Sequence, residues 1–320
     1  MTGSDGQDER SGTRVGLADV RQLEDSIAEL RVLDYRYGGG SCRAAVESRL
    51  PAAVALLDGE AKTVVRARLY TAVADLYNLA GWTNFDQDRP GAALEAFARA
   101  LELAIEAGND DLQANIRYRV GRLHLHYGAV DAALLEFARG REAAVSAHSK
   151  LAQAILSANQ AWAHAKKADV TGALTYLRCA RQEFAEAEGR TPSPWAAFFG
   201  APDMAAMVGT VHGELAQVVD TRHGRDGIPA LVDAIGGYPR GMTRSRSLTL
   251  IWLATVHALD GDLDIAVAVG EEAVELAGGL RSPRVRQRLH SLAGAARRFS
   301  GNADARAIIE RVEMVGHSGQ

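Results

Sequence analysis

Histidines, a glycine run and clustered arginines are the parts of this chain whose types and spacing could do chemistry. His124 and His126 form an HxH pair. On a helix, residues two apart point about 200° from each other, so the pair cannot close on one metal ion as histidines four apart do. His124, His164 and His257 each stand three residues after a small residue, a shared register that predicts packing between helices. Gly38-Gly39-Gly40 has no lysine after it and no strand before it, so it reads as a helix stop and not as a phosphate cradle. Arg281, Arg284, Arg286 and Arg288, followed by Arg297 and Arg298, would suit a phosphate or an acidic partner; on an end helix the expectation is a solvated face. Arg117, Arg119 and Arg122 fall on a first helix of a pair and carry more weight. The GxSxG, HExxH and P-loop patterns are absent. The expectation is a protein that is not an enzyme, with no catalytic residue, no metal and no cofactor.

Bulk properties narrow the partners. The 320 residues carry a net charge of −4, which argues against direct DNA binding as the main task. Cys42 and Cys179 lie far apart and form no CxxC or disulfide framework, which fits a reducing cytoplasm. The first residues are polar and lack an apolar core, so no signal peptide is expected, and no apolar window is long enough for a membrane span.

The elements that must position these residues show in an internal repeat. Ala93-Phe97-Ala100, Ala133-Phe137-Gly140 and Ala173-Leu177-Ala180 follow one another at intervals of forty residues. Twelve residues before each set stands a small residue: Gly81, Gly121 and Ala161. The marks return at Ala254, Ala266, Gly270 and Ala273, and weakly at Gly294, forty residues after Ala254. Two helices approach closely only where side chains are small, and a bulky residue fills the space beyond. This spacing matches tetratricopeptide helix pairs; the forty-residue period exceeds the usual ~34 and predicts longer helices or turns. The predicted fold is all-α, a tetratricopeptide-like α-solenoid of antiparallel helix pairs. Residues 1–16 are expected to be a disordered tail and 17–315 a single repeat domain. Its clearest repeats span 61–187, an insertion falls at 188–203, and 204–315 hold degenerate and capping pairs. Ser41 is the expected N-cap of a helix carrying Pro51. The insertion holds Trp195, Phe198 and Phe199, expected to be buried at the start of a helix bent at Pro202.

In such an array the first helix of each pair lines a concave groove. Counting from the small marks, the groove positions hold Asp75, Asn78 and Trp82, then Asn115, Tyr118 and Arg122, then Asn159 and Trp162, and further on Glu214. Asparagines can pair with the backbone of an extended peptide, and Trp and Tyr supply rigid contact area. Few lysines are present, so a lysine-based clamp for a terminal carboxylate is not expected.

The stretches VGLADVRQL, LDYRYGGG, LAGWTNFDQDRPGAALEAFARALELA and SPWAAFF resemble a family of actinobacterial regulators. Those Streptomyces-type proteins join an Xre-type helix-turn-helix to a tetratricopeptide region. The resemblance covers about 15–315 and is most specific over 15–105, through Tyr35, Gly38 to Gly40, Gly81, Trp82 and Asp86. It implies a right-handed superhelix and a cytoplasmic role linked to transcriptional regulation. Few residues precede VGLADV, so a helix-turn-helix ahead of it is not expected in this chain. The expected function is therefore binding of a protein or peptide in the groove, without direct DNA binding. Two alternatives stand beside it: a sensor of a small molecule or signalling peptide, and a dimerisation or titration partner of a full-length relative.

Overall fold

The computed structural model describes residues 14–278, 280 and 283–317. Among them are fourteen α-helices and no β-strand, and the fold is a tetratricopeptide-like α-solenoid. Helices α1 (Leu17–Tyr37) and α2 (Gly39–Ala55) open the array. Then α3 (Thr63–Asp86) pairs with α4 (Pro90–Glu106), α5 (Asp110–His126) with α6 (Val130–Ser146), and α7 (Lys150–Lys166) with α8 (Val170–Glu186). After a loop, α9 (Ala201–Val218) pairs with α10 (His223–Gly237) and α11 (Thr243–Asp260) with α12 (Leu263–Gly278). Helices α13 (Pro283–Ala296) and α14 (Ala303–His317) cover the far end.

Turn chemistry explains the period. Each helix from α4 to α8 has 17 residues, and three residues separate each from the next. Two such helices and their turns fill forty residues. Within the turns a residue with positive φ recurs every twenty positions: Asp88 at 57°, Gly108 at 66°, Gly128 at 78°, His148 at 53° and Ala168 at 58°. Left-handed backbone ends a helix cheaply only at glycine and costs about 1 kcal/mol where a β-carbon is present. The next position caps the following helix. Asn109, Ser149 and Asp169 accept from the backbone N–H groups of Leu112, Ala152 and Gly172. His164 and His257 serve these caps: their Nδ1 atoms lie 2.8 Å from Asp169 Oδ2 and 3.3 Å from Asp262 Oδ2. At His164 and His257 the shared register thus serves the turn, whereas the cap after His124 is Ala129, which offers no carboxylate.

The helix pairs close on their small residues. A β-carbon added to Gly81 would lie 2.5 Å from the Phe97 ring, and one added to Gly121 would lie 2.3 Å from the Phe137 ring. Both rings are fully buried. At the same register the third pair places Ala161 with Leu177, so a methyl returns where the partner is smaller.

Three local expectations are corrected. Residues 14–16 are not a loose tail. Val15 is buried and its N–H donates to the Glu60 carbonyl, while the Gly16 N–H donates to Asp19 Oδ2. Ser41 lies inside α2, its hydroxyl donating to the Gly38 carbonyl; Gly38, at φ 85°, is the cap. Pro202 does not bend a helix. It stands in the first turn of α9, where a missing N–H costs nothing. The preceding loop is non-helical and carries Phe199 buried and Trp195 half-buried. Residues 1–13 and Arg281 lie outside the described residues, as does the side chain of Arg284.

The superhelix closes on itself. Arg244, on α11, lies 3.2 Å from Asp86 on α3 and 3.6 Å from Asp34 on α1. Asp86 also accepts from the Gly39 N–H at 2.8 Å. Both carboxylates are buried, so this ion pair ties the first and fifth pairs across the groove. Among the described residues no helix is long and apolar enough to cross a membrane.

Candidate functional site: the enclosed groove

The groove enclosed by this turn holds a cavity of about 200 Å³, far more than the ~10–15 Å³ one water needs. Its walls come from the inward helices α3, α5, α7, α9, α11 and α13 and from the loop before α9. Trp82, Tyr118, Trp162 and Trp252 supply large flat surfaces. Phe198, Phe199, Met207 and Leu248 make an apolar stretch, with Phe198 stacked on Tyr118 at 5.9 Å between ring centres. Arg119, Arg122, Arg244 and Arg288 bring the charge. A second cavity of about 190 Å³ shares Arg122, Trp162, Leu248 and Arg288 with the first and continues to Lys166, His126 and Gln287.

Trp162 is the centre of the charged part. Its indole N–H donates to Glu214 Oε2 at 2.8 Å, which fixes the ring plane. Lys166 Nζ lies 3.2 Å from the other Glu214 oxygen. Three cations surround the ring: the guanidinium carbons of Arg122 and Arg288 at 4.8 and 5.4 Å from its centre, and Lys166 Nζ at 5.9 Å. Arg288 also lies 4.7 Å from the Trp252 ring and is held between two indoles. Burial lowers the Arg288 pKa; Arg122 adds to that, and Glu214 opposes it.

The residues expected in the groove divide into three groups. Trp82, Tyr118, Arg122, Asn159 and Trp162 line the cavity. Asn78, Asn115 and Glu214 support it from behind. Asn78 is fully buried and donates to Asn115 Oδ1 at 2.9 Å, Asn115 donates to the Trp195 carbonyl at 3.0 Å, and Arg119 donates to the Asn78 carbonyl at 2.9 Å. The side-chain amides of these asparagines face into the protein and hold the aromatic loop in place, and the Asn78 backbone carbonyl holds Arg119. Asp75 is elsewhere, paired at 2.6 Å with Arg31 of α1. Arg288 corrects the reading of its cluster as a solvated face: α13 turns this one arginine into the groove, while Arg297 and Arg298 are exposed. Sequence reasoning also missed Trp252 and Lys166. Trp252 stands two residues before the small mark Ala254, the place that Arg119 and Asn159 hold before Gly121 and Ala161.

Two other groupings lie outside the groove walls. His212 on α9 and His223 and Asp226 on α10 bring three metal-type donors within 4.8 Å of one another. Burial pushes the His212 pKa down, with Asp226 opposing and His223 and Arg181 adding to the fall. Cys42 is buried, and burial first, then Asp34, pushes its thiol up to about 12, so it is a packing residue and not a nucleophile.

No protein-family model matches the chain, and no curated protein matches it. Among solved structures, one similar chain is described as Rap protein complexed with Competence and Sporulation Factor. It is 12% identical, covers 93% of this chain and 98% of that one, and superposes with a TM-score of 0.52. At this identity the likeness is one of fold.

Proposed function

We propose that this protein is a regulatory binding module whose enclosed groove takes an extended peptide segment, and that it acts by binding and not by catalysis. One observation carries the reading. Four aromatic residues and four arginines from five helices converge on one cavity inside the superhelix. Arg244 also ties α11 to α3 and α1, but stability alone does not call for Arg288, because an enclosed arginine costs desolvation energy that apolar packing avoids. Rigid aromatic and arginine side chains are the types that dominate binding energy at protein interfaces. The solved neighbour of the same fold is described in complex with a factor of its own, which fits use of this fold for capture. A link to transcription rests on the sequence resemblance to Streptomyces-type regulators, and a cytoplasmic setting goes with it.

The test is retention of a mixed-sequence pentapeptide library on immobilised protein, read by mass spectrometry. The wild type should retain a defined subset, and Tyr118→Ala with Trp252→Ala should lose it. Equal retention by both proteins would move the site out of the groove. Saturable binding of small metabolites with no peptide retained would favour the small-molecule sensor.

A further inference from the structure

Arg288 makes no hydrogen bond to any acceptor among the described residues; its contacts are the faces of Trp162 and Trp252. A guanidinium carries five N–H donors, and an enclosed one ordinarily spends them on a carboxylate or on carbonyls. Here Arg288 borders both cavities. The nearby acids are already engaged. Glu214 accepts from Trp162 and Lys166. Asp203 accepts from the Gly200 N–H at 3.0 Å and the Tyr238 hydroxyl at 3.2 Å. Asp86 holds Arg244 and the Gly39 N–H. Around Trp162, Lys166 is paired with Glu214, which leaves a surplus positive charge on Arg288, with no carboxylate bound to it among the described residues. The position of the surplus matters as much as its sign. Arg122, Trp162 and Arg288 belong to both cavities, so the cations stand mid-groove, with space on either side and Phe198, Phe199 and Met207 on the apolar side.

We infer that the groove reads an acidic side chain, Asp or Glu, inside the bound peptide, seated on Arg288 and Arg122 and followed by an apolar residue on the Phe198–Met207 side. A chain terminus would leave one cavity empty; an internal carboxylate lets the peptide continue into both. The planar fork of Arg288, placed between two indoles, fits the two oxygens of a carboxylate. This inference rests on the peptide-groove reading and adds the chemistry of the ligand.

The test compares four acetylated pentapeptide libraries, mixed apolar at four positions, on the wild-type protein. Two are C-terminally amidated with central Glu or central Gln. A third has central Gln and a free C-terminal carboxylate, and the fourth is amidated with central phosphoserine. The expected result is at least tenfold stronger retention of the Glu library than of the Gln library. Arg288→Gln and, separately, Arg122→Gln should erase that preference, with Arg288→Lys keeping part of it. The contrast between Glu and Gln needs no variant, so a variant that fails to fold leaves the test intact. Equal retention of Glu and Gln peptides would overturn the inference while leaving the groove reading standing. Preference for the free carboxylate would overturn it in favour of a terminus, and preference for phosphoserine in favour of a phosphate. No retention of any library would overturn both readings together.

Discussion

The hinges of the helix pairs and the walls of the groove follow different rules. At the hinges the same residue types recur at one register: Gly81 under Phe97, Gly121 under Phe137, Ala161 with Leu177. In the groove the positions recur but the residue types do not. The place after a small mark holds Trp82, Arg122 and Trp162, the place two before one holds Arg119, Asn159 and Trp252, and the place six before one holds Leu248 and Arg288. A solenoid needs every pair to close at a similar angle, so packing residues must repeat. A ligand is not periodic, so the residues that meet it must differ from pair to pair. Stability and recognition therefore sit on opposite sides of the same helices, and substitutions should separate them.

The sharpest separation is expected at Phe137, which is fully buried against Gly121. Phe137→Ala should cost about 3–5 kcal/mol, the transfer and cavity terms of a lost core aromatic. Urea unfolding followed by circular dichroism measures it, and a loss below about 2 kcal/mol would show that the ring does not hold the pair. The Glu-over-Gln preference of the groove should survive in the folded fraction.

A smaller effect tests the hinge from its other side. Alanine is the better helix former by ~1 kcal/mol, yet Gly121→Ala would place a methyl 2.3 Å from the Phe137 ring. The ring has no exposed side toward which to move, so overpacking should win and the net loss should be about 1–3 kcal/mol. A stability gain would mean that α5 and α6 can shift apart freely and that the hinge is not tight.

This division also explains what a single sequence reveals. The hinges were legible because repetition supplies its own control: Gly121 and Phe137 stand forty residues after Gly81 and Phe97. Groove positions extrapolated from those marks brought together Trp82, Tyr118, Arg122, Asn159 and Trp162, since helix geometry fixes which way a first helix faces. The same extrapolation placed Asp75 in the groove, whereas α1, which lies outside the repeat, covers that face and pairs Arg31 with it. Asn78 and Asn115 are polar residues at binding positions by count, yet their side chains bond each other and the backbone of the inserted loop, a segment with no repeat to predict it. Arg288 stands six residues before the weak mark Gly294, the place that Asp75 and Asn115 hold before Gly81 and Gly121, so the same count reaches it, but not its contact. It reaches Trp162 from a helix far along the chain, and only closure of the superhelix brings the two together.

Arg288 then offers the smallest expected change in stability and the clearest break between the two regions. Its charge is enclosed by the groove, its guanidinium donors have no acceptor among the described residues, and Arg122 lies close enough to lower its pKa further. What stabilises it in the unliganded protein is its stacking on Trp162 and Trp252, about 0.5–2 kcal/mol for each such contact. Replacing an enclosed charge by an apolar group of similar length commonly returns about 1–4 kcal/mol of desolvation, and the lower part of that range applies to a side chain only half-buried overall. In Arg288→Met the two contributions should nearly cancel, and methionine keeps favourable contacts with both indoles. Glu214 stays engaged by Trp162 and Lys166, so no carboxylate is stranded. Thermal unfolding without ligand should show a stability between unchanged and about 2 kcal/mol higher, although the same variant loses the acidic ligand. A loss of more than about 2 kcal/mol would instead make Arg288 a structural strut, and the groove would then obey the same rule as the hinges.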